Sequence, residues 1–342
     1  MTYSQVLEKM IAGRSMTEPE SYQLMVELLS GRYSGEKISG LLVALRCKGE
    51  TEEEIAGFLR AMREFAVKVE TDRPVVDTCG TGGDGTRTFN ISTVAAFVAA
   101  GAGVAVAKHG NRSVSSQCGS ADVLENLGVN LKLEPEQVKA SVESIGIGFC
   151  FAPLYHQSLK YAAGPRKELG VRTVFNMLGP LLNPFLAKRQ VIGVFREDLT
   201  GFVASNLRRL GSRHVFVVYS RDGLDEVSIS DETIIAELKD GSITTRRIVP
   251  EVYGFKRVPQ SEIIGGDAPK NALILTDILS GRPGPCRDIV ILNAALAVVC
   301  SGLCDTIDQG IEQAKYSIDS GAALDKLHQL IAFSHQKAAA CF

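Results

Sequence analysis

Three stretches of this sequence carry residue types whose spacing can do chemistry, and each follows a short β-branched run. The first, DTCGTGGDGTRTFNIST over residues 77–93, sets Gly80, Gly82, Gly83, Gly85 and Asp84 between a strand and an apolar helix that starts near Asn90, Ser92 and Thr93. Exposed backbone amides, hydroxyls and a helix N-terminus make an anion cradle suited to phosphate or pyrophosphate. Gly80, Gly82 and Gly85 also satisfy GxGxxG. A dinucleotide site, however, wants an acid at the end of the next strand, where this chain has Lys108, and a helix opening on the third glycine, which is absent. No Gly-Lys-Ser/Thr follows, so the Walker form fails as well. A plain turn capped by Ser92 would need fewer glycines.

The second stretch, KHGNRSVSSQCGSADVLE over 108–125, supplies charge from Lys108 and Arg112 and hydroxyls from Ser113, Ser115, Ser116 and Ser120. Gly110 and Gly119 let the backbone close in. Two such loops at successive strand ends point to one joint phosphate site, because open parallel sheets bind ligands there. The third, DGLDEV over 222–227, places adjacent carboxylates Asp225 and Glu226 after another strand. Alone it reads as an acidic turn; beside two anion loops it reads as a Mg²⁺ site, since Mg²⁺ is held by one or two carboxylates together with substrate phosphates. No GxSxG, HExxH or Cys/His nucleophile setting accompanies these loops, and Cys79 reads as a packing residue. The chemistry is therefore expected to be driven by the substrate's own leaving group, with the protein aligning reactants and stabilising charge.

Positioning these loops requires strands that alternate with helices. PVVD, GVAVAK, IGFCFA, RQVIGVF and HVFVVYS alternate with helical segments at 92–101, 136–144 and 199–210, the signature of a mainly parallel α/β sheet. Residues 231–260 read as antiparallel strands and 289–335 as helices. Residues 1 to about 70 carry helical signals only, with capping boxes at Thr17–Glu20 and Thr51–Glu54 and a further helix over Ile38–Cys47. Residues 155–185 are also helical and are placed to fold back onto the first helices. The fold class is thus α/β, with a small N-terminal helical domain and a larger α/β domain.

Composition narrows the function further. The chain has 342 residues, 45% hydrophobic and 22% charged, with a net charge of −2, which disfavours disorder and a general nucleic-acid surface. Its eight cysteines form no CxxC pair, and the start MTYSQVLEKM lacks the basic and apolar regions of a secretory signal. A reduced, cytoplasmic protein without structural zinc is expected. The longest apolar stretch, Val94 to Ala107, is too short to span a bilayer and is broken by Gly101 and Gly103.

With these residues in view, a family resemblance becomes specific. GTGGD at 80–84, TFNIST at 88–93, KHGNRS at 108–113, GSADVLE at 119–125, GPLLNP at 179–184 and DGLDE at 222–226 resemble, in order and spacing, the signature segments of the anthranilate phosphoribosyltransferases. The likeness runs across essentially the whole chain. It implies a nucleoside phosphorylase/phosphoribosyltransferase-like fold, with a helical domain at 1–70, joined by helices from about 155–185, and an α/β domain at 71–342 that binds phosphoribosyl pyrophosphate (PRPP). It implies transfer of the phosphoribosyl group from PRPP to the amine of anthranilate, in tryptophan biosynthesis. Gly80, Gly83, Asp84, Thr88, Asn90, Ile91, Ser92 and Thr93 would hold PRPP, together with Lys108, His109, Gly110, Asn111, Arg112, Ser113, Val114, Ser115, Ser116 and Ser120. Gly80, Asn111 and Arg166 would meet anthranilate, and Ser92, Asp225 and Glu226 would bind Mg²⁺. A guanidinium such as Arg166 suits a benzoate-type carboxylate. His109 would either relay the released proton or line the pocket. A homodimer formed through the helical domain is also implied, with no nucleic-acid or membrane partner.

The sequence departs from the family pattern in places. Where many members carry a His-Pro-Ala-Met-like run, this chain has His156, Gln157, Ser158 and Leu159, and Cys118 stands where small hydroxylated residues are common. GPLLNP, with Arg172 and Asn176 nearby, reads as a turn joining the helical unit to the next strand. A pyrimidine nucleoside phosphorylase would lack the GTGGD, KHGNR and DGLDE set in this form. A non-catalytic nucleic-acid-binding relative would show a basic stripe and eroded site residues, whereas Asp225, Glu226, Asn111 and Arg166 are all present.

Overall fold

The computed structural model describes residues 1–82, 85–113 and 117–338. Four helices open the chain: α1 (Tyr3–Ile11), α2 (Glu18–Leu29), α3 (Gly35–Lys48) and α4 (Glu52–Phe65). The capping boxes at Thr17–Glu20 and Thr51–Glu54 form as expected, and a third forms at Thr2–Gln5. Glu54 does more than cap. Its carboxylate is fully buried, accepts the Met16 and Thr51 amides, and pairs with Lys48 at 2.8 Å, which ties the turn before α2 to the start of α4.

The α/β part follows as β1 (Val76–Gly80), α5 (Ile91–Gly101), β2 (Val106–Gly110), α6 (Ser120–Asn126), α7 (Pro135–Ile145) and β3 (Ile147–Phe151). Next come α8 (Ala152–Tyr155), α9 (Lys160–Leu169), α10 (Val174–Leu178), β4 (Arg189–Gly193), α11 (Leu199–Arg209) and β5 (His214–Ser220). The chain continues through β6 (Thr233–Lys239), β7 (Ser242–Ile248), α12 (Ala268–Leu279), α13 (Pro285–Ser301), α14 (Ile307–Asp319) and α15 (Ala322–Ala338). Helix α6 occupies part of what the sequence suggests is loop, and helix resumes at α12 rather than at residue 289. The antiparallel region also stops early: residues 250–253 and 260–263 form 3₁₀ turns. Pro250 begins the first segment and Pro259 immediately precedes the second, and neither has an amide to give to a ladder.

The sheet order is β3-β2-β1-β4-β5-β6-β7, parallel from β3 to β5, with β6 and β7 added antiparallel. The chain lays β2 and β3 on one side of β1 and then returns to lay β4 on the other. The strand order therefore reverses at the carboxyl ends of β1 and β4, which opens a crevice there. Side chains alternate between two cores. Val191, Phe216 and Val218 join the layer containing α5, α13, α14 and α15, while Ile192, Val215 and Val217 face α11 and the opening helices. The second core runs without a break from Leu24, Leu42 and Phe58 through Val203 to Ala236 and Leu238. Helix α9 packs against α2 and α3, and α10 against α3, so the helices after β3 lie on the opening bundle.

Candidate active site

The crevice is built first from what glycine leaves out. Gly80 ends β1 and pairs in register with Gly193, which ends β4. A Cβ on Gly80 would stand 2.5 Å from Asp225 Oδ2, and one on Gly193 would stand 1.5 Å from the Asp225 carbonyl oxygen. Only two bare strand ends admit the 222–227 turn between them. That turn is closed at its base, where the Ser228 hydroxyl donates to Asp222 Oδ2 at 2.7 Å and the Ser220 amide donates to Leu224 O. The acidic pair then reaches the first loop: the Gly82 amide donates to Asp225 Oδ2 at 2.7 Å, and the Ser92 amide donates to Glu226 Oε1 at 3.2 Å.

These two amides show what the loop is for. Asn90 is the N-cap of α5, yet its side chain makes no capping bond. It donates instead to Cys118 O at 3.1 Å, in the second loop, and accepts from Asn271 Nδ2 of α12 at 3.0 Å. The first turn of α5 is therefore capped by an anion instead: Ile91 and Thr93 donate to the Phe89 and Asn90 carbonyls, and the Ser92 amide, at the positive end of the helix dipole, donates to Glu226. Thr81 Oγ1 and Thr93 Oγ1 are buried nearby without a partner among the described residues. Ile91 is buried in the core, and Thr88 forms an antiparallel bridge with Ile264.

Lys108 lies at the floor of the site, buried, with its ammonium donating to Thr78 O at 2.5 Å and Ser92 Oγ at 3.3 Å. Burial pulls its pKa down, against the opposing pull of Asp77, Cys79 and Glu226. His109 is gripped at both ring nitrogens, with Nδ1 2.6 Å from Asp77 Oδ2 and Nε2 3.0 Å from Gly179 O. Burial alone would raise the Asp77 carboxyl, but His109 and Lys108 beside it hold it below the ordinary carboxylate value. A relay through His109 would have to break one of these two bonds. The Cys79 thiol donates to Pro180 O, and burial raises its pKa well above the ordinary value, so no thiolate is offered.

The second loop is held by the acid of the GSADVLE segment. Asp122 Oδ2 of α6 accepts the Ser113 amide at 3.0 Å and the Gly119 amide at 2.8 Å, drawing both ends of the loop together. Arg112, expected to face phosphate, gives its guanidinium to Glu125 at 2.7 and 2.8 Å and to Asp122 at 3.0 Å. Its role here is to fasten the loop to α6. Asn111 sits at the mouth, its side-chain oxygen accepting the Arg112 amide, and Ser120 Oγ donates to Asn111 O at 3.4 Å. Gly110 ends β2 beside them. Gly83, Asp84, Val114, Ser115 and Ser116 lie outside the described residues.

Arg166 comes from α9, stacked over Phe175 at 5.2 Å, with no carboxylate partner among the described residues. Burial lowers its pKa, yet a guanidinium starts so far above neutrality that it keeps its charge. No hydrogen bond among the described residues joins it to Asn111 or the glycine loop. The turn read as a simple connection, GPLLNP, instead borders the site: Gly179 O holds His109, Pro180 O accepts from Gln190 at 3.1 Å, and Asn183 Nδ2 donates to Ala107 O at 2.7 Å. His156, in the divergent run, is buried and donates from Nε2 to Leu182 O at 3.0 Å; burial and the nearby His109 push its pKa down to about 4.

Of the residues that motifs miss, Gly193 has a readable signal, a glycine inside an apolar strand pattern, which marks close backbone approach. Asp122 lies inside the GSADVLE segment, though nothing there shows that its carboxylate clasps the loop; Asn271 has no signal, because its partner Asn90 lies far along the chain.

The likeness to known proteins agrees with this geometry. Residues 72–324 match the model of the glycosyl transferase family, a/b domain, and residues 4–66 that of its helical bundle domain. The chain is 50% identical over 332 residues to an anthranilate phosphoribosyltransferase of Desulforamulus reducens, covering 97% of this chain and 96% of that protein. It is likewise 50% identical to one from Moorella thermoacetica, covering 97% and 98%. Among solved structures, the enzyme of that name from Thermus thermophilus superposes with a TM-score of 0.91 at 42% identity, covering 96% of this chain and 99% of that one. The Saccharomyces cerevisiae enzyme in complex with PRPP and Mg does so with a TM-score of 0.89 at 28% identity, covering 98% of each. With relatives this similar over nearly its full length, the chain belongs to the anthranilate phosphoribosyltransferase family.

Proposed function

We propose that this protein transfers the phosphoribosyl group of PRPP to the amine of anthranilate, giving N-(5′-phosphoribosyl)anthranilate and pyrophosphate, as a step of tryptophan biosynthesis. The observation that carries the reading is the pair of backbone amides, Gly82 and Ser92, that already donate to carboxylate oxygens at the reversal point of the sheet. Amides that bind the protein's own anions are placed to bind those of a ligand.

The donor would lie across Gly80, Thr88, Asn90 to Thr93, Lys108 to Ser113 and Ser120; Gly83, Asp84 and Val114 to Ser116 carry the same proposal. Within that set, Arg112 and His109 act by holding the cradle in shape, since their side-chain groups are engaged with protein partners. Ser92, Asp225 and Glu226 would hold Mg²⁺. The set is all oxygen, two carboxylates and a hydroxyl, which fits a hard cation. When bound, Mg²⁺ supplies Lewis-acid neutralisation of the departing pyrophosphate. Arg166, with no carboxylate partner among the described residues, is matched to the carboxylate of anthranilate, with Asn111 and Gly80 on the acceptor's other side. The aromatic amine is neutral near pH 7 and is itself the nucleophile, so the chain's task is alignment and charge stabilisation, with no strong base.

We further propose a division into a helical domain at 1–70, extended by the helices at 155–185, and an α/β domain at 71–342, with two copies pairing through the helical part in the cytoplasm. An apolar groove of about 710 Å³ between α1 and α3, lined by Leu7, Met10, Ile11, Val43, Ala44 and Cys47, supports the pairing. No helix of the described residues is long and apolar enough to cross a membrane.

The test is direct. Pure protein incubated with anthranilate, PRPP and Mg²⁺ is expected to consume anthranilate, followed as loss of its fluorescence, and to stop when Mg²⁺ is chelated. Unchanged fluorescence over hours with all three present would refute the reading.

A further inference from the structure

Helix α13 is buried over most of its length, with every residue from Ile289 to Cys300 inside the protein. Asn293 is the one amide side chain in that apolar run. A buried amide in such a setting is costly unless its hydrogen bonds are satisfied, and an aliphatic side chain there would serve packing better. Asn293 is fully satisfied, and by one target above all. Its Oδ1 accepts the Val227 amide at 2.9 Å, and its Nδ2 donates to Val227 O at 2.8 Å and to Ile289 O at 2.8 Å. The side chain thus grips both backbone groups of one residue, as a neighbouring strand would.

Val227 directly follows Asp225 and Glu226. The turn that carries the acids is clasped at Asp222 by Ser228 and has no ladder of its own through Val227, so its outgoing side is fixed by Asn293. Helix α13 also packs against β1, β4 and α5, the elements that deliver Gly80, Gly193 and Ser92. One rigid rod therefore references the acidic pair to the same frame as the anion cradle.

We infer that Asn293 is a positioning residue for the Mg²⁺ site, setting the height of the Asp225–Glu226 pair over the cradle through Val227. The inference rests on the proposed Mg²⁺–PRPP function. Outer-shell partners of metal ligands change metal affinity by roughly 10- to 100-fold when removed, and a shift in that range is expected here. A residue that only stabilised the fold would lower the melting temperature and leave ligand binding alone.

The experiment is calorimetric titration of PRPP in the presence of Mg²⁺, with the Mg²⁺ concentration varied, on the full-length wild type, Asp225→Ala, Asn293→Ala and Asn293→Asp. The aspartate variant keeps the acceptor for the Val227 amide and loses both donors. Binding by the wild type that is lost in Asp225→Ala tests the functional reading itself. Given that result, Asn293→Ala is expected to need about tenfold more Mg²⁺ for half-maximal PRPP binding, with Asn293→Asp between it and wild type. The KM for anthranilate at saturating Mg²⁺ and PRPP should stay within about twofold, and excess Mg²⁺ should restore turnover. A half-maximal Mg²⁺ concentration within about twofold of wild type in both folded variants overturns the proposal. Hydrogen exchange on the wild type gives a reading that needs no variant: the Val227 amide is expected to exchange slowly without Mg²⁺, and exchange at the rate of an exposed turn overturns the proposal equally.

Discussion

At the scale of single residues, the site separates charges that are spent from charges that are available. Arg112 is held by Glu125 and Asp122, and Lys108 by Thr78 and Ser92, whereas Arg166 stacks on Phe175 with no carboxylate beside it among the described residues. Replacing Arg166 by Ala is expected to raise the KM for anthranilate by about 10- to 100-fold, the worth of one charge-assisted pair, while PRPP binding changes little. Initial rates with each substrate varied in turn would show this, and equal losses for both substrates would count against the assignment. His156 sets a pH effect. The unfolded chain takes up a proton near pH 6.5, but the folded chain resists it until about pH 4. Stability from this site is therefore lost as pH falls through that window, by up to about 3 kcal/mol. Urea unfolding between pH 7 and 4 should show a shallower decline in His156→Gln than in wild type, and parallel curves would exclude the effect. Residue types are legible where the chemistry is local: the glycines, Ser92 and the acidic pair announce themselves by spacing. The protein partners of Arg112 are not legible, because its acids sit across a loop and a helix turn and a sequence does not display which anion a guanidinium will choose.

At the scale of elements, strands and helices are readable from their residue patterns: β3, β4 and β5 fall inside the runs expected for them, while β1 and β2 overlap theirs and run on into the glycine ends. What stays hidden is the order of the strands, since β1 pairs with β4 across more than a hundred residues of intervening chain. That order is what turns Gly193 into part of the site. Gly193→Ala would force a methyl onto the Asp225 carbonyl oxygen. The variant is expected to lose about 1 to 3 kcal/mol of stability by overpacking and to require several-fold more Mg²⁺ for activity. Wild-type Mg²⁺ dependence in this variant would show that the 222–227 turn tolerates displacement.

At the scale of the molecule, the surface of the opening helices carries Ile11 at 66% and Val43 at 43% exposure beside the apolar α1–α3 groove, the surface the proposed pairing would cover. If the proposed pairing holds, sedimentation velocity is expected to give a dimer for the wild type and a monomer for Val43→Glu; a dimer in both would move the interface elsewhere.

The second core also has a bearing on how the chain comes apart. Leu24 and Phe58 from the beginning of the chain are sealed into the same apolar volume as Val217 and Leu238 from the sheet. A protease cut in the connector between α4 and β1 should release nothing: the two pieces would stay stuck together as one particle and melt in one transition. Expressed from residue 71 onward, the sheet would present a bare greasy wall and precipitate.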